Sequence, residues 1–121
     1  VIDKSIIEEN ISEYQKKLWN KKTKKDKSFG DLIKRLENRT SMFSNPIWHS
    51  DSVCNTVTSS GDICLYDIAR KPVKNEICSV GSYPQDYNFK TIQPQYLIGM
   101  SVPPVMMAQI ANQIYLQWFK K

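Results

Sequence analysis

Apolar residues recur every three or four positions over the first third of the chain, which is the spacing of an amphipathic helix. In residues 5–19 this row consists of Ile7, Ile11, Tyr14 and Leu18. Ser5 is a favourable N-cap and Glu8 follows it at the spacing of a capping box, so a helix is predicted to begin at Ser5. Residues 28–39 repeat the pattern with Phe29, Leu32, Ile33 and Leu36, which predicts a second, shorter helix.

The pattern changes between residues 40 and 69, where β-branched and aromatic residues become frequent. The segments DSVCNTVTSSG, residues 51–61, and ICLYDI, residues 63–68, meet at a group of small polar residues around Gly61. Serine, glycine and aspartate favour tight turns. Two short strands joined by a loop at Gly61 are therefore predicted.

Helical spacing returns in the last third of the chain. Residues 74–80 predict a short helix that ends at Gly81, because glycine commonly follows the last helical residue. The final helix is predicted to begin at Pro104, since a proline at the first helical position loses no hydrogen bond. Its apolar residues at every fourth position are interpreted as one buried stripe: Met106, Ile110, Ile114 and Trp118. A terminal helix packed on a core is the simplest explanation of that stripe.

These elements predict an α+β fold, with short β-strands flanked by helices and an amphipathic helix at the C-terminal end. A length of 121 residues suits one domain or a piece of one. The chain begins with valine rather than methionine, which suggests a fragment or a processed protein. It has neither a signal-peptide profile nor an apolar run of roughly 18 residues, so we expect no membrane partner.

Positive charge is concentrated near the start of the chain. The protein has 17 Lys and Arg against 12 Asp and Glu, and residues 14–27 alone carry seven lysines and one aspartate. Such a segment suits a polyanionic partner, although a solvated lysine surface without a partner explains it equally well.

The cysteine and histidine content excludes several classes of site. Cys54, Cys64 and Cys78 are odd in number and irregularly spaced, with no CxxC pair, so neither a disulfide framework nor a zinc or other metal site is expected. Reduced thiols suit a cytoplasmic protein. His49 is the only histidine and has no evident acidic or metal partner in the sequence, so it is not expected to be catalytic.

The segment IGMSVPPVMMAQIANQI, residues 98–114, resembles the last conserved block of the DNA cytosine-5 methyltransferases. That block reads Gly-Asn-Ser/Ala-Val-Pro-Pro, followed by a helix with Ile-Ala and a final Ile. The residues of this chain that match are Gly99, Ser101, Val102, Pro103, Pro104, Ile110, Ala111 and Ile114. Met100 stands where the family has asparagine.

Two earlier segments extend the resemblance to roughly residues 54–119. RKPVKNEICSVGSYPQDYNF resembles the penultimate family motif, in which Arg70, Glu76, Tyr83, Pro84, Asp86 and Tyr87 fall at the family spacing. Pro72, Val73 and Lys74 depart from its Leu-Thr-Pro. Thr56-Val57 resembles the Thr-Val/Leu pair of the target recognition region, and a loop with a glycine follows it in both.

Other family elements are missing from the sequence. None of the three cysteines follows a proline, whereas the family nucleophile lies in a Pro-Cys dipeptide, and the Glu-Asn-Val element and the Gly-rich donor loop are also absent. The resemblance therefore implies the C-terminal part of such an enzyme, with no catalytic residue in this chain. Residues 1–98, with a Lys-rich helical part over 1–40, would belong to target recognition. Residues 99–121 would pack on a separate catalytic domain or subunit.

The resemblance assigns roles to two groups of residues. Met100, Ser101 and Val102 would line the pocket of the donor S-adenosylmethionine in the complete enzyme, although Ser101 could equally be a simple helix cap. Double-stranded DNA would be contacted by small polar residues and by lysines: Thr56, Thr58, Ser59, Ser60, Gly61, Lys21, Lys22, Lys24 and Lys25. Ser-Ser-Gly-Asp is also a common hairpin turn.

Arg70 and Glu76 would be structural and are expected to form a buried or half-buried ion pair. The function implied is methyl transfer to cytosine C5 in DNA by the complete enzyme, with this chain alone inactive. The alternative is a basic DNA-binding module without catalysis. Without its partner, the last helix would expose its stripe and favour self-association.

Overall fold

The structure is a computed structural model that describes residues 2–7, 10–42 and 44–121. The chain divides into two compact units, Val1–Thr56 with Gly61–Val73 and Val57–Ser60 with Lys74–Lys121. The first unit contains helices α1 (Glu13–Trp19) and α2 (Phe29–Glu37) and strands β1 (Ile47–Trp48) and β2 (Cys64–Leu65). The second contains α3 (Lys74–Val80), α4 (Pro94–Gly99), α5 (Pro104–Ile114) and a π-helical turn, Tyr115–Phe119. This is a small α+β fold.

Helix α1 begins eight residues later than predicted, at Glu13. Ser12 is its N-cap, with a capping box in which the Gln15 amide donates to the Ser12 hydroxyl while the Ser12 amide donates to the Gln15 side chain. The hydroxyl and amide of Ser5 both donate instead to the Asp3 carboxylate, so the prediction of a helix start at Ser5 was wrong. The proposed box partner Glu8 lies outside the described residues. The segment contains two serines that are followed three residues later by Glu or Gln, Ser5 and Ser12, and the helix begins at the second.

Helix α2 has the predicted position and forms the centre of the first unit. Ser28 is its N-cap, its side chain accepting from the Asp31 amide, and Asn38 ends it in a left-handed conformation with φ of 50°. The helix buries Phe29, Leu32 and Ile33 against the rest of a compact core. That core also includes Leu18, Ile47 and Cys64.

Strands β1 and β2 form a two-stranded parallel ladder, with Ile47 paired to Cys64 and Trp48 to Leu65. The prediction of two strands joined by a turn at Gly61 was therefore wrong in its first strand: residues 51–61 form no strand. The β-branched residues there alternate with polar ones and remain largely exposed, whereas Ile47 and Trp48 are buried. Burial, rather than β-propensity, decides which segment pairs.

Helices α3 and α4 pack together in the second unit around Ile77, Cys78, Phe89 and Ile98. Helix α3 was predicted, and its contact with α4 is close at Gly81: a Cβ atom there would lie 2.5 Å from the Ile98 side chain. Helix α4 was not predicted, although Pro94 occupies a first-turn position that favours a helix start.

Helix α5 begins at Pro104 as predicted, but its apolar stripe is exposed. Met106, Ile110, Ile114 and Trp118 are between 46% and 76% exposed, and no residue of α5 is buried. The interpretation of a helix packed on a core was therefore wrong for this chain by itself. Within the described residues, no helix combines the length and the apolar character needed to cross a membrane.

Candidate functional site

The turn between α4 and α5 contains Met100, Ser101 and Val102, the residues assigned to the S-adenosylmethionine pocket by the resemblance. Just before it, Gly99 makes a contact that only glycine allows. A Cβ atom on Gly99 would lie 2.5 Å from the backbone nitrogen of Ser59 and 2.5 Å from the carbonyl carbon of Thr58. A side chain is excluded by backbone atoms that cannot rotate away. The Gln95 side chain adds a 3.3 Å hydrogen bond to the Thr58 carbonyl. Gly99 therefore brings the turn against the loop at Thr58 and Ser59, two of the predicted DNA-contacting residues.

The Ser101 hydroxyl has two hydrogen-bond partners in this turn. It accepts from the Tyr83 hydroxyl at 2.7 Å and donates to the Ile98 carbonyl at 3.0 Å. The amides of Met100 and Ser101 donate to carbonyls at the end of α4. Because the Ser101 hydroxyl and both amides are engaged within the turn, none of these N–H and O–H groups is free to bind a ligand in this conformation. Ser101 instead fixes the turn onto Tyr83.

Met100 and Val102 present apolar surface beside Ser101, being 67% and 51% exposed. Neither side chain can donate a hydrogen bond. The turn therefore offers apolar side chains at Met100 and Val102 and a hydroxyl at Ser101 that is already hydrogen-bonded. The assignment of these three residues to the pocket of S-adenosylmethionine stays a prediction.

The start of α5 is capped by a residue that the sequence did not suggest. Pro103 is the N-cap and makes no side-chain cap bond, while the Val105 amide donates to the Ser82 hydroxyl at 3.2 Å. Ser101 therefore does not cap this helix, and the alternative given for it from the sequence was wrong. Ser82 lies 23 residues before Val105, so no local pattern could have identified it.

The small polar loop that was predicted to contact DNA divides between the two units. Thr58, Ser59 and Ser60 belong to the second unit, and the Thr58 hydroxyl donates to the Ser60 carbonyl. Thr56 and Gly61 belong to the first, both exposed, and Gly61 has a φ of 106° that favours glycine. The hydroxyl of Thr58 thus stabilises the loop.

The lysines of the predicted DNA surface differ in their surroundings. Lys21, Lys24 and Lys25 are exposed. The Lys22 ammonium lies 3.1 Å from the centroid of the Trp19 ring and 4.7 Å from that of Tyr66, and burial lowers its pKa. Lys22 is therefore engaged in cation–π packing, whereas Lys21, Lys24 and Lys25 are exposed charges of this loop, as is Lys27.

Asp26 holds residues 21–27, the lysine-rich loop, in place. Its residue is 3% exposed, and its carboxylate accepts two bonds from Arg35 and two from Thr23. Burial alone would raise the pKa of this carboxyl, but the hydrogen bonds from Arg35 and Thr23 outweigh it and lower the pKa. The ionised form therefore stabilises the loop.

We expect acid to loosen this loop selectively. Because the folded-state pKa of Asp26 lies below its unfolded value of about 3.9, its stabilisation is complete at neutral pH and is lost as the pH falls below about 4. Asp26→Ala should lower the free energy of unfolding at pH 7 by about 1.5–3 kcal/mol, the size of hydrogen bonds to a charged group. Amide exchange of residues 21–27 should rise in the variant at neutral pH and in the wild type only in acid. If the difference in amide exchange between Asp26→Ala and the wild type stayed the same at neutral and acid pH, the role of the ionised carboxylate would be contradicted.

Arg70 and Glu76 are both buried, at 1% and 2% exposure. The Arg70 guanidinium donates to the carbonyls of Asp3, Ile6 and Lys71 at 2.8–2.9 Å. It thereby fixes the N-terminal segment to the end of the first unit. The ion pair between Arg70 and Glu76 stays a prediction.

Cys64 and Cys78 are unsuited to nucleophilic chemistry. Burial raises the pKa of Cys64 to about 12 and also raises that of Cys78, so both remain protonated thiols at neutral pH. All three cysteines are free thiols. Over residues 2–7, 10–42 and 44–121, no three His, Cys, Asp or Glu side chains lie together as metal ligands would.

Comparison with known proteins finds no matching family model, no matching curated protein and no matching solved structure.

Proposed function

We propose that this chain is the target-recognition and C-terminal part of a DNA cytosine-5 methyltransferase. The proposal rests on the contact between segments that resemble separate family motifs. Tyr83, from the penultimate motif, donates to Ser101 of the last motif, and Gly99 abuts the Thr58–Ser59 loop that follows Thr56-Val57. Segments that resemble three separate motifs of the family, and that are separated in the sequence, therefore contact one another within the second unit.

In the proposed enzyme, this chain binds DNA and forms one wall of the donor pocket, while a separate part supplies the nucleophilic thiolate. S-adenosylmethionine supplies the methyl group when it is bound. Met100 and Val102 contribute apolar contact to that wall, and the bond from Tyr83 to Ser101 holds the turn rigid. Burial raises the pKa of Cys64 and Cys78, and none of the three cysteines follows a proline, so we assign the nucleophile to the separate part.

The exposed stripe of α5 supports an interface with the catalytic part. Met106, Ile110 and Ile114 form a continuous row, flanked by Gln109, Gln113 and Gln117 along a shallow groove. Apolar surface of this kind marks an interaction site, because water disfavours its exposure. Without the catalytic part, the same row makes self-association the expected state of the chain.

A basic DNA-binding module without catalysis is the second candidate, and the exposed lysines favour it. Lys21 and Lys25 extend from the loop that Asp26 fixes, so their charge is presented at a defined place. Neutralising each phosphate contributes about −0.9 to the slope of log affinity against log salt. Both candidates predict DNA binding, and methyl transfer separates them.

The test combines this chain with the catalytic part, which we expect in the reading frame directly upstream of the Val1 codon. That frame should encode a Pro-Cys dipeptide and a Gly-rich donor loop, and the combined protein should form 5-methylcytosine in duplex DNA. This chain alone should form none. A stop codon upstream, with no catalytic part encoded nearby, would exclude the enzyme and leave the binding module.

Met100→Asn restores the amide that the family has at this position. In the active combined protein, one added hydrogen bond of about 0.5–1.5 kcal/mol should lower the KM for S-adenosylmethionine roughly 2- to 10-fold. The control is Met42→Asn, because Met42 is fully exposed in the first unit and should leave the KM unchanged. An unchanged KM in both variants would remove Met100 from the donor wall.

A further inference from the structure

The register of the parallel ladder brings two aromatic rings together at the carboxyl ends of β1 and β2. Trp48 pairs with Leu65 at the last position of the ladder. The next residues along the two strands, which run in the same direction, are His49 and Tyr66. Their rings stack, with centroids 4.2 Å apart and planes inclined by 20°, and both residues are half-buried. This edge of the first unit therefore carries a flat stack of two rings.

A second contact fixes the orientation of the His49 ring. Its Nε2 lies 3.0 Å from the Asp26 carbonyl, which can only accept, so Nε2 carries a proton. In the neutral ring Nδ1 is then an acceptor. Asp26 is itself buried and held by Arg35 and Thr23, so the ring is attached to a well-braced part of the first unit. A ring that is already fixed loses little entropy when a ligand stacks on it.

A cavity of about 230 Å³ lies beside this ring. Strand β1, the segment after it and the lysine-rich loop supply its lining: Lys24, Lys27, Ile47, Trp48, His49, Asp51, Ser52, Val53, Cys54 and Asn55. Since Tyr66 occupies one face of the His49 ring, the ring presents its other face or its Nδ1 edge to the cavity. Pockets for drug-sized ligands measure roughly 300–1,000 Å³. The cavity therefore suits one planar ring system rather than a whole nucleotide.

The polar groups of the lining favour a ligand that donates hydrogen bonds. The Asp51 carboxylate is 67% exposed, and its ion pair with Lys24 is long, at 3.8 Å, so it can accept from a ligand. The Asn55 side chain donates to the Lys27 carbonyl at 3.4 Å through its nitrogen, which leaves its oxygen to accept from a ligand. An exocyclic amine on a heterocycle offers two N–H groups to such acceptors, whereas the ring of uracil or thymine offers one.

We propose that this cavity binds an unpaired nucleobase that carries an exocyclic amine, stacked on His49 and hydrogen-bonded to Asp51 and Asn55. Stacking on aromatic side chains is a main source of affinity for single strands, and it requires a base that is outside a duplex. The base belongs either to a single-stranded stretch of DNA or to a free nucleoside, and the first source rests on the DNA binding proposed above. The site is separate from the methyl-accepting site, which the proposed enzyme places in its catalytic part.

The experiment follows the ring protons of His49 by NMR while deoxycytidine is added. His49 is the only histidine, so its ring signals are identified without variants. A base stacked on the ring should shift these signals upfield and saturably, with a Kd on the order of 1–10 mM. Deoxyuridine, which has a carbonyl in place of the amine, should bind at least about threefold more weakly, as expected for one lost hydrogen bond. A shift that does not saturate, or equal Kd values for the two nucleosides, would overturn the proposal.

Two aspartate variants test the hydrogen bonds of the site. Asp51→Ala removes the carboxylate from the cavity and should bring the Kd values of the two nucleosides within about twofold of each other. Asp62→Ala removes a similarly exposed carboxylate, which pairs with Lys71 outside the cavity, and should leave the preference for deoxycytidine unchanged. Both nucleosides are uncharged, so the loss of one protein charge does not by itself alter this comparison. A full preference for deoxycytidine in Asp51→Ala would contradict the proposed contact.

A short single strand that contains cytosine, and the duplex formed with its complement, identify the source of the base. If the strand shifts the His49 signals at lower concentration than deoxycytidine does, and the duplex leaves them unchanged, the base belongs to unpaired DNA. If only deoxycytidine shifts them, the ligand is a free nucleoside. Either result supports the site, whereas equal shifts with strand and duplex would contradict recognition of an unpaired base.

The same titrations keep the site and the proposed function apart. If the chain binds neither strand nor duplex while deoxycytidine still shifts the His49 signals, the DNA binding of the proposed function fails and the nucleobase site stands. If the chain binds DNA and no ligand shifts the His49 signals, the nucleobase site fails and DNA binding stands.

Discussion

Replacing Arg70 with alanine is expected to lower the free energy of unfolding of the first unit by about 3–4 kcal/mol. The side chain is 1% exposed and donates to three backbone carbonyls, those of Asp3, Ile6 and Lys71. Alanine would leave these acceptors without their donor and would leave a cavity in place of the guanidinium and its stem. Lysine would not restore the pattern, because its single ammonium cannot reproduce the planar fork.

Arg39→Ala is the matched control for this loss. Its side chain is 54% exposed and pairs with Glu37 at the surface, so the free energy of unfolding should hardly change. Urea unfolding can be followed by Trp19 and Trp48 in a Trp118→Phe background, so that fluorescence reports the first unit alone. A loss below about 1 kcal/mol for Arg70→Ala would show that its hydrogen bonds are replaceable by water.

Gly99→Ala is expected to destabilise the second unit by about 1–3 kcal/mol, the range for overpacking. The added Cβ would meet backbone atoms of Thr58 and Ser59 at 2.5 Å, and neither can move without displacing the loop. Amide exchange at Ser59 and Ser60 should therefore increase more than exchange in α3. In a combined active enzyme, the displaced turn should also raise the KM for the donor.

Gly30→Ala separates this effect from the general consequence of adding a methyl group. The nearest atom to a Cβ at Gly30 is the Ser44 side-chain carbon at 3.2 Å, a tight but adjustable contact. The gain of about 0.5–1 kcal/mol from alanine inside α2 opposes that crowding. We expect little net change. If Gly30→Ala and Gly99→Ala lowered the free energy of unfolding equally, the close contact of position 99 with Thr58 and Ser59 would not be the cause of the loss.

The helices with complete local signals were predictable from the sequence. Ser28 before Phe29 and Pro104 before a periodic apolar row each combine a start signal with a buried or apolar face. Helix α1 shows the limit of such signals, because Ser5 and Ser12 offer similar caps. In the structure the segment around Ser5 is instead held by Arg70, which donates to the carbonyls of Asp3 and Ile6 from a distant part of the sequence.

The parallel pairing of the strands and the polar contacts of the site could not be predicted from local sequence. The turn residues around Gly61 suggested a hairpin with residues 51–61, whereas the strand at Cys64 pairs in parallel with Ile47. The hydrogen bonds from Val105 to Ser82 and from Tyr83 to Ser101 join residues 23 and 18 positions apart, so they depend on tertiary packing. Gly99 was noticed only as a match to the family block, and the backbone of Thr58 and Ser59 that it approaches could not be predicted.

The parallel pairing of β1 with β2 has a consequence for how freely the intervening chain can vary. Fifteen residues, 49–63, connect the two strands without a helix or strand of their own. The entropy of closing such a connection grows only with the logarithm of its length, so doubling it costs about 0.6 kcal/mol. Sequence and length can therefore change in the largely exposed residues 50–56 while the ladder persists, whereas Thr58 and Ser59, which Gly99 approaches, and the buried Ile63 are constrained. The pairing of β1 with β2 therefore constrains the two ends of this connection more strongly than its exposed middle.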